Sequence, residues 1–191
     1  MANKLISEAG NGQLMMRYEL NKYLAAKEQY PGGQFGDEYF ERSNTLKLNK
    51  IRFIVSEQTA SASELLINVL KPYYPDLKLI ASGLRTYGKP VGFFEQRVEN
   101  KLSLWVTSFK MYNKNGESDY WDGLPAQITG IQDYIFADFG DSNELMLQAA
   151  LKDINPAALW ATTTKVRKFK NAVNMGAINK LTKREMFKKN R

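Results

Sequence analysis

The chain has 191 residues, of which 43% are hydrophobic and 25% charged; this composition excludes a disordered or membrane-embedded protein and fits one domain with a small appendage. It contains neither cysteine nor histidine, which removes disulfides, thiolate nucleophiles, zinc sites built from those ligands and every catalytic triad that needs an imidazole. The net charge is +7, but ten of the lysines and arginines fall between Lys165 and Arg191, opposed only by Glu185, so the body is close to neutral. Such a tail can touch anionic surfaces weakly. It lacks the interleaved aromatics of a base-stacking surface, so specific nucleic-acid recognition is not expected. No apolar run approaches the ~20 residues of a membrane span, and no segment has the pattern of a signal peptide.

In chain order, Ala2 to Ala9 reads as a short helix ending at Gly10-Asn11-Gly12. It starts without a capping residue, which suggests that Met1 falls inside a longer domain. Leu14, Met16, Tyr18 and Leu20 alternate with their neighbours in the period of a strand. The stretch around Tyr30-Pro31-Gly32-Gly33 is a loop. Ile51 to Val55 is a nearly continuous apolar run, expected as a strand covered on both faces. A helix follows, with Ala62, Leu65, Leu66, Val69, Leu70 and Tyr73 on one face. Leu77 to Ala81 then forms a second strand, parallel to the first.

Further along, Leu102 to Tyr112 reads as a long strand and Asn113-Lys114-Asn115-Gly116 as a hairpin turn. A helix over Leu145 to Ile154 should be capped near Asp141 to Asn143. Asn155-Pro156 looks like the cap and first turn of another helix leading into the basic tail.

Two residues with chemistry to offer stand at strand ends. Ser61 lies where a strand hands over to a helix whose free N–H groups point at anything reacting there. Lys89, in Thr86-Tyr87-Gly88-Lys89-Pro90-Val91-Gly92, lies just beyond the carboxyl end of the neighbouring strand. Adjacent parallel strands are ~4.8 Å apart and end on the same edge, so both residues can share one crevice. Ser61-Ala62-Ser63-Glu64 also matches a capping box, in which the serine is a helix cap and Glu64 is its structural partner.

Thr59-Ala60-Ser61-Ala62-Ser63-Glu64 followed by Thr86-Tyr87-Gly88-Lys89-Pro90-Val91-Gly92 resembles the carboxy-terminal processing peptidases, also called tail-specific proteases. The likeness runs on through Phe109-Lys110-Met111-Tyr112-Asn113, Asn115-Gly116-Glu117, Trp121-Asp122-Gly123 and the helix after Asp138-Phe139-Gly140-Asp141. It covers most of the chain between about Leu46 and Leu151 and looks like a Bacteroides-type envelope branch. The resemblance implies an α/β fold, a mixed sheet flanked by helices with crotonase-like topology, of which residues 1–154 would be the carboxy-terminal part of the catalytic domain and 155–191 a helical basic tail. It implies Ser61 as nucleophile, Lys89 as general base and the backbone N–H of Ala62 as one oxyanion-hole donor. Polypeptides cut near their carboxy termini would be the substrates, in the periplasm or cell envelope of a bacterium, with no cofactor and no metal.

The departures from that family are specific. An upstream Asn-x-Gly-Gly turn that would supply the second oxyanion donor is missing, Gly32-Gly33 being a poor substitute, and Phe93 stands where many relatives have a glutamine that orients the lysine. The third member of the site is therefore unassigned, and the chain alone is expected to be weakly active or inactive. The rival from another class is a catalytically silent peptide-binding or scaffold domain of the same fold. Glu117, Asp119 and Asp122 are read as solvating a turn and not as a calcium site, and Phe109, Tyr112, Tyr120 and Trp121 as either core or substrate groove.

Overall fold

The structure is a computed structural model that describes residues 1–26, 35–43, 45–131 and 140–157. The helix expected over Ala2 to Ala9 is broken: α1 spans Ala2–Leu5 and a 3-10 turn spans Glu8–Gly10. Between them Ile6 and Ser7 are extended, which drives the Ile6 side chain into the core, where it is 1% exposed. Gly10 makes room for it, since a Cβ there would stand 2.5 Å from Ile6 Cγ1.

Strand β1 (Leu14–Leu20) follows the alternation expected of it and leads into α2 (Lys22–Ala26). β1 pairs antiparallel with the short β2 (Glu38–Tyr39) on one side. On the other side it meets the strand over Leu102–Tyr112. That strand has a second antiparallel partner that the sequence reading did not assign, Val91–Val98. With these labelled β5 and β6 in chain order, the sheet runs β2-β1-β6-β5. The true hairpin turn is Glu99-Asn100, both at positive φ (50° and 54°), closed by the Lys101 N–H on the Val98 carbonyl at 3.0 Å. The Asn113 to Gly116 turn exists, with Gly116 at φ 75°, but it ends β6 instead of joining it to a partner. The far end of the β5–β6 hairpin carries Val98, Leu102, Leu104, Trp105 and Val106 exposed.

A separate parallel pair consists of β3 (Arg52–Val55) and β4 (Lys78–Ala81), joined through α3 (Ala62–Leu70) and a 3-10 turn at Lys71–Tyr73. The expectation that β3 is covered on both faces fails at Ile54, which is 47% exposed. Helix α3 lies between two clusters: Val69 and Leu70 pack with Ile6, Phe40, Ile51 and Tyr74, while Ile67 packs with Val55, Leu79, Ala81, Tyr120 and Leu124. Its buried side also holds Glu64 and Asn68, which an apolar stripe does not reveal.

Helix α4 (Leu145–Ile154) packs Met146 and Ala150 on Ile80. Its cap is Glu144, not the Asp141 to Asn143 stretch: the Glu144 carboxylate accepts from the Met146 and Leu147 N–H groups at 2.8 and 2.6 Å. The helix is tied to the parallel pair by ions. The Arg52 side chain, 2% exposed, bonds Asp153 at 2.5 Å and Asp76 at 2.9 Å, and Lys78 reaches Asp153 at 2.8 Å. Asn155 closes α4 as its carboxyl-terminal cap; the helix expected to follow it, and the Gly32-Gly33 loop, lie outside the described residues. No helix among the described residues is long and apolar enough to cross a membrane. The result is a mixed α/β arrangement of sheet and helices, as the sequence implied.

Candidate active site

Ser61 is the amino-terminal cap of α3, but its backbone is not that of an ordinary cap. It sits at φ 57°, ψ −117°, whereas a capping serine normally has extended dihedrals. A non-glycine residue at such a position costs on the order of 1–3 kcal/mol and persists only where the surroundings hold it. The consequence is a sharp strand-to-helix turn that leaves Ser61 half-buried at the edge of the fold. The next N–H, that of Ala62, finds no acceptor among the described residues and belongs to the free first turn of the helix.

What holds Ser61 is Glu64, whose side chain is fully buried. Its Oε2 accepts the Ser61 N–H at 3.0 Å and the Lys89 N–H at 2.8 Å. Its Oε1 accepts the Gly88 N–H at 2.7 Å and the Thr86 hydroxyl at 2.5 Å. Because one oxygen serves both Ser61 and Lys89, their backbone nitrogens lie no farther apart than the sum of those two bonds. The sequence reading gave Glu64 only its capping role. That role is present, but the same carboxylate also fixes the loop that carries the lysine.

That loop is locked from the other side. Thr86 Oγ1 accepts the Leu124 N–H at 2.8 Å, the Thr86 N–H reaches the Leu124 carbonyl at 3.0 Å and the Tyr87 N–H reaches the Thr59 carbonyl at 2.9 Å. Gly88 (φ 94°) and Gly123 (φ 89°) lie against opposing backbone: a Cβ on Gly88 would stand 2.1 Å from the Trp121 carbonyl oxygen, and one on Gly123 would stand 2.1 Å from that of Thr86. Only glycine fits at either place. The two motifs Thr86-Tyr87-Gly88-Lys89 and Trp121-Asp122-Gly123 are therefore halves of one backbone junction.

The Lys89 side chain is half-buried. Its Nζ makes no hydrogen bond with Ser61 Oγ or any other described group, and lies 4.6 Å from the centroid of the Phe93 ring. Beneath the site, Tyr120 is 7% exposed and its hydroxyl has no hydrogen-bond partner among the described residues; burial, with the Glu64 carboxylate adding to it, pushes the phenol up to about 12.

The other candidates separate. Glu117 binds Asn113 and Lys71 at 3.0 and 3.2 Å, and Asp119 pairs with Lys110. No group of side chains among the described residues is arranged to hold a metal ion. Phe109 joins Tyr18, Phe35 and Phe94 in an aromatic cluster over the antiparallel sheet, Tyr120 is core, and Trp121 is exposed beside Lys110.

A scan against protein-family models and a search of curated proteins both give no match. Solved structures do. A Bacteroides fragilis protein assigned as an S41 protease superposes with a TM-score of 0.68 at 22% identity, covering 82% of this chain and 40% of its own. The photosystem II D1 C-terminal processing protease gives 0.46 at 18% identity, covering 67% of this chain and 29% of its own. The first establishes a shared fold, and this chain spans less than half of that protein's length.

Proposed function

We propose that the chain carries the serine and lysine of a serine endopeptidase, with Ser61 as nucleophile, Lys89 as general base and the Ala62 N–H as one donor to the oxyanion. The observation that carries this reading is the strained Ser61 backbone held on the same carboxylate oxygen as Lys89. A helix cap alone does not require that strain. In the proposed reaction the neutral Lys89 amine takes the Ser61 proton as Oγ attacks a peptide carbonyl. The tetrahedral intermediate collapses as the Lys89 ammonium returns that proton to the departing amine fragment, and water then hydrolyses the acyl-enzyme that remains. The Ala62 N–H would contribute roughly 2.7–4 kcal/mol to the tetrahedral intermediate, as one such donor does elsewhere.

Residues 1–154 would form the carboxy-terminal part of a crotonase-like catalytic domain, and 155–191 a basic tail able to touch anionic surfaces. Substrates would be polypeptides cut near their carboxy termini, in a bacterial periplasm or envelope. The second oxyanion donor would come from an upstream segment, so peptide cleavage by this chain alone would be weak or absent. The likeness to the Bacteroides protein supports the fold on which this reading stands.

A fluorophosphonate that reacts with activated serines tests the site without needing a peptide groove. Labelling at Ser61, lost in Ser61→Ala and in Lys89→Ala, is the expected result. Equal labelling of Ser61→Ala at wild-type rate would reduce Ser61 to a helix cap. A second reading, a domain that holds peptides without cutting them, is favoured by the absence of a bond between Lys89 Nζ and Ser61 Oγ. Saturable peptide binding with no labelling would establish it.

A further inference from the structure

The position of the Lys89 amine raises a question that the assignment of a nucleophile and base leaves open. Its backbone is fixed by Glu64 at 2.8 Å, yet among the described residues its Nζ has no hydrogen-bond or ion partner, and it rests over the face of Phe93 at 4.6 Å. Phe93 sits near the start of β5, paired with Thr107 on β6 just after a register shift at Gly92. An aromatic face attracts an ammonium through its quadrupole and has no comparable attraction for a neutral amine.

We infer that Phe93 is a positioning residue that holds the Lys89 ammonium off Ser61 in the resting protein, so that the side chain must leave the ring before it can serve as a base. This rests on the serine–lysine reading above and adds a resting state to it. Such a contact at a half-buried site has the strength to slow departure of the amine about two- to fivefold. Anything that displaces the amine from the ring, an incoming polypeptide included, would release the base. Phe93→Leu keeps an apolar side chain opposite Thr107 and removes the ring face; Phe93→Tyr keeps the ring.

The test reads the amine directly. Brief reaction of the full chain with trace acetic anhydride, followed by peptide mass spectrometry, gives the acetylation rate of Lys89 relative to Lys101, whose side chain is 82% exposed. Phe93→Leu should acetylate about two- to fivefold faster at Lys89 with Lys101 unchanged, and Phe93→Tyr should match wild type. The wild-type proton spectrum should also show the Lys89 ε-methylene signals shifted upfield by the ring current, a shift retained in Phe93→Tyr and lost in Phe93→Leu. Unshifted ε-methylene signals in the wild type, or equal Lys89 acetylation in wild type and Phe93→Leu, overturns the inference. Neither readout depends on Ser61 being reactive, so failure of the fluorophosphonate labelling would sink the peptidase reading and leave the contact with Phe93 to be judged separately.

Discussion

Replacing Glu64 by glutamine removes one acceptor oxygen from a place where four donors converge. In the native chain the Ser61 and Lys89 N–H groups share Oε2, and the Thr86 hydroxyl and Gly88 N–H share Oε1. A glutamine keeps one oxygen and turns an NH2 toward the other pair, so two donors lose their acceptor and face another donor. Each buried donor left unmet costs about 1–3 kcal/mol, with the lower end fitting half-buried Ser61 and Lys89. Two of them therefore cost roughly 2–6 kcal/mol, against a whole-domain stability of about 5–15 kcal/mol. Urea unfolding should show the midpoint falling by on the order of 1–2 M with the slope unchanged. Amide exchange should lose protection at either Ser61 and Lys89 or at Gly88. A Glu64→Gln variant with the wild-type midpoint and wild-type protection at all three amides would refute the claim that this carboxylate organises the site.

The strain at Ser61 predicts that Ser61→Gly is more stable than wild type by about 1 kcal/mol, since glycine takes φ 57° without the steric penalty. Thermal unfolding should rise by about 2–4 °C for Ser61→Gly, and not for Ser61→Ala; a fall in both would mean that the turn is unstrained. Acid stability should depend on the ions that hold α4. A hydrogen bond from Lys78, with Arg52, holds the Asp153 carboxyl below its usual range, and Arg52 does the same for Asp76. Both depressed values mean stability that is complete above the ordinary carboxyl range near pH 4 and is lost as pH falls through the folded values. Asp153→Asn should therefore lower the neutral stability and flatten its decline as pH falls below the ordinary carboxyl range near pH 4; an acid limb as steep as wild type would place the dependence elsewhere.

The framework that the sequence disclosed is the part written in side-chain periodicity: β1, the parallel β3 and β4 with α3 between them, β6 and α4. It was blind where the deciding partners are backbone. β5 escaped because Val91 and Gly92 read as the end of the lysine motif, and because its turn uses Glu99 at positive φ, a residue that carries no turn signature. Ser61 and Lys89 were legible as residue types at strand ends. Glu64 was legible only as a cap, because three of its four donors are main-chain N–H groups, and a main-chain donor leaves no mark on composition or spacing. The polar members of the buried side of α3, Glu64 and Asn68, were hidden for the related reason that an amphipathic pattern is scored on apolar residues.

The backbone junction of Gly88 and Gly123 also divides the chain into what can drift and what cannot. The chain leaves this junction into β5, runs out along the hairpin and returns at Trp121, so the hairpin is an excursion that starts and ends at one fixed point. Insertions, deletions and new surfaces at its tip can accumulate without moving Lys89 relative to Ser61. The same freedom does not extend to the two loops themselves, where a single added methyl on either glycine meets a carbonyl oxygen. A lineage carrying this fold can thus remodel what the hairpin touches while the geometry around Glu64 stays fixed, and a foreign hairpin spliced between residues 98 and 102 is the change the site should notice least.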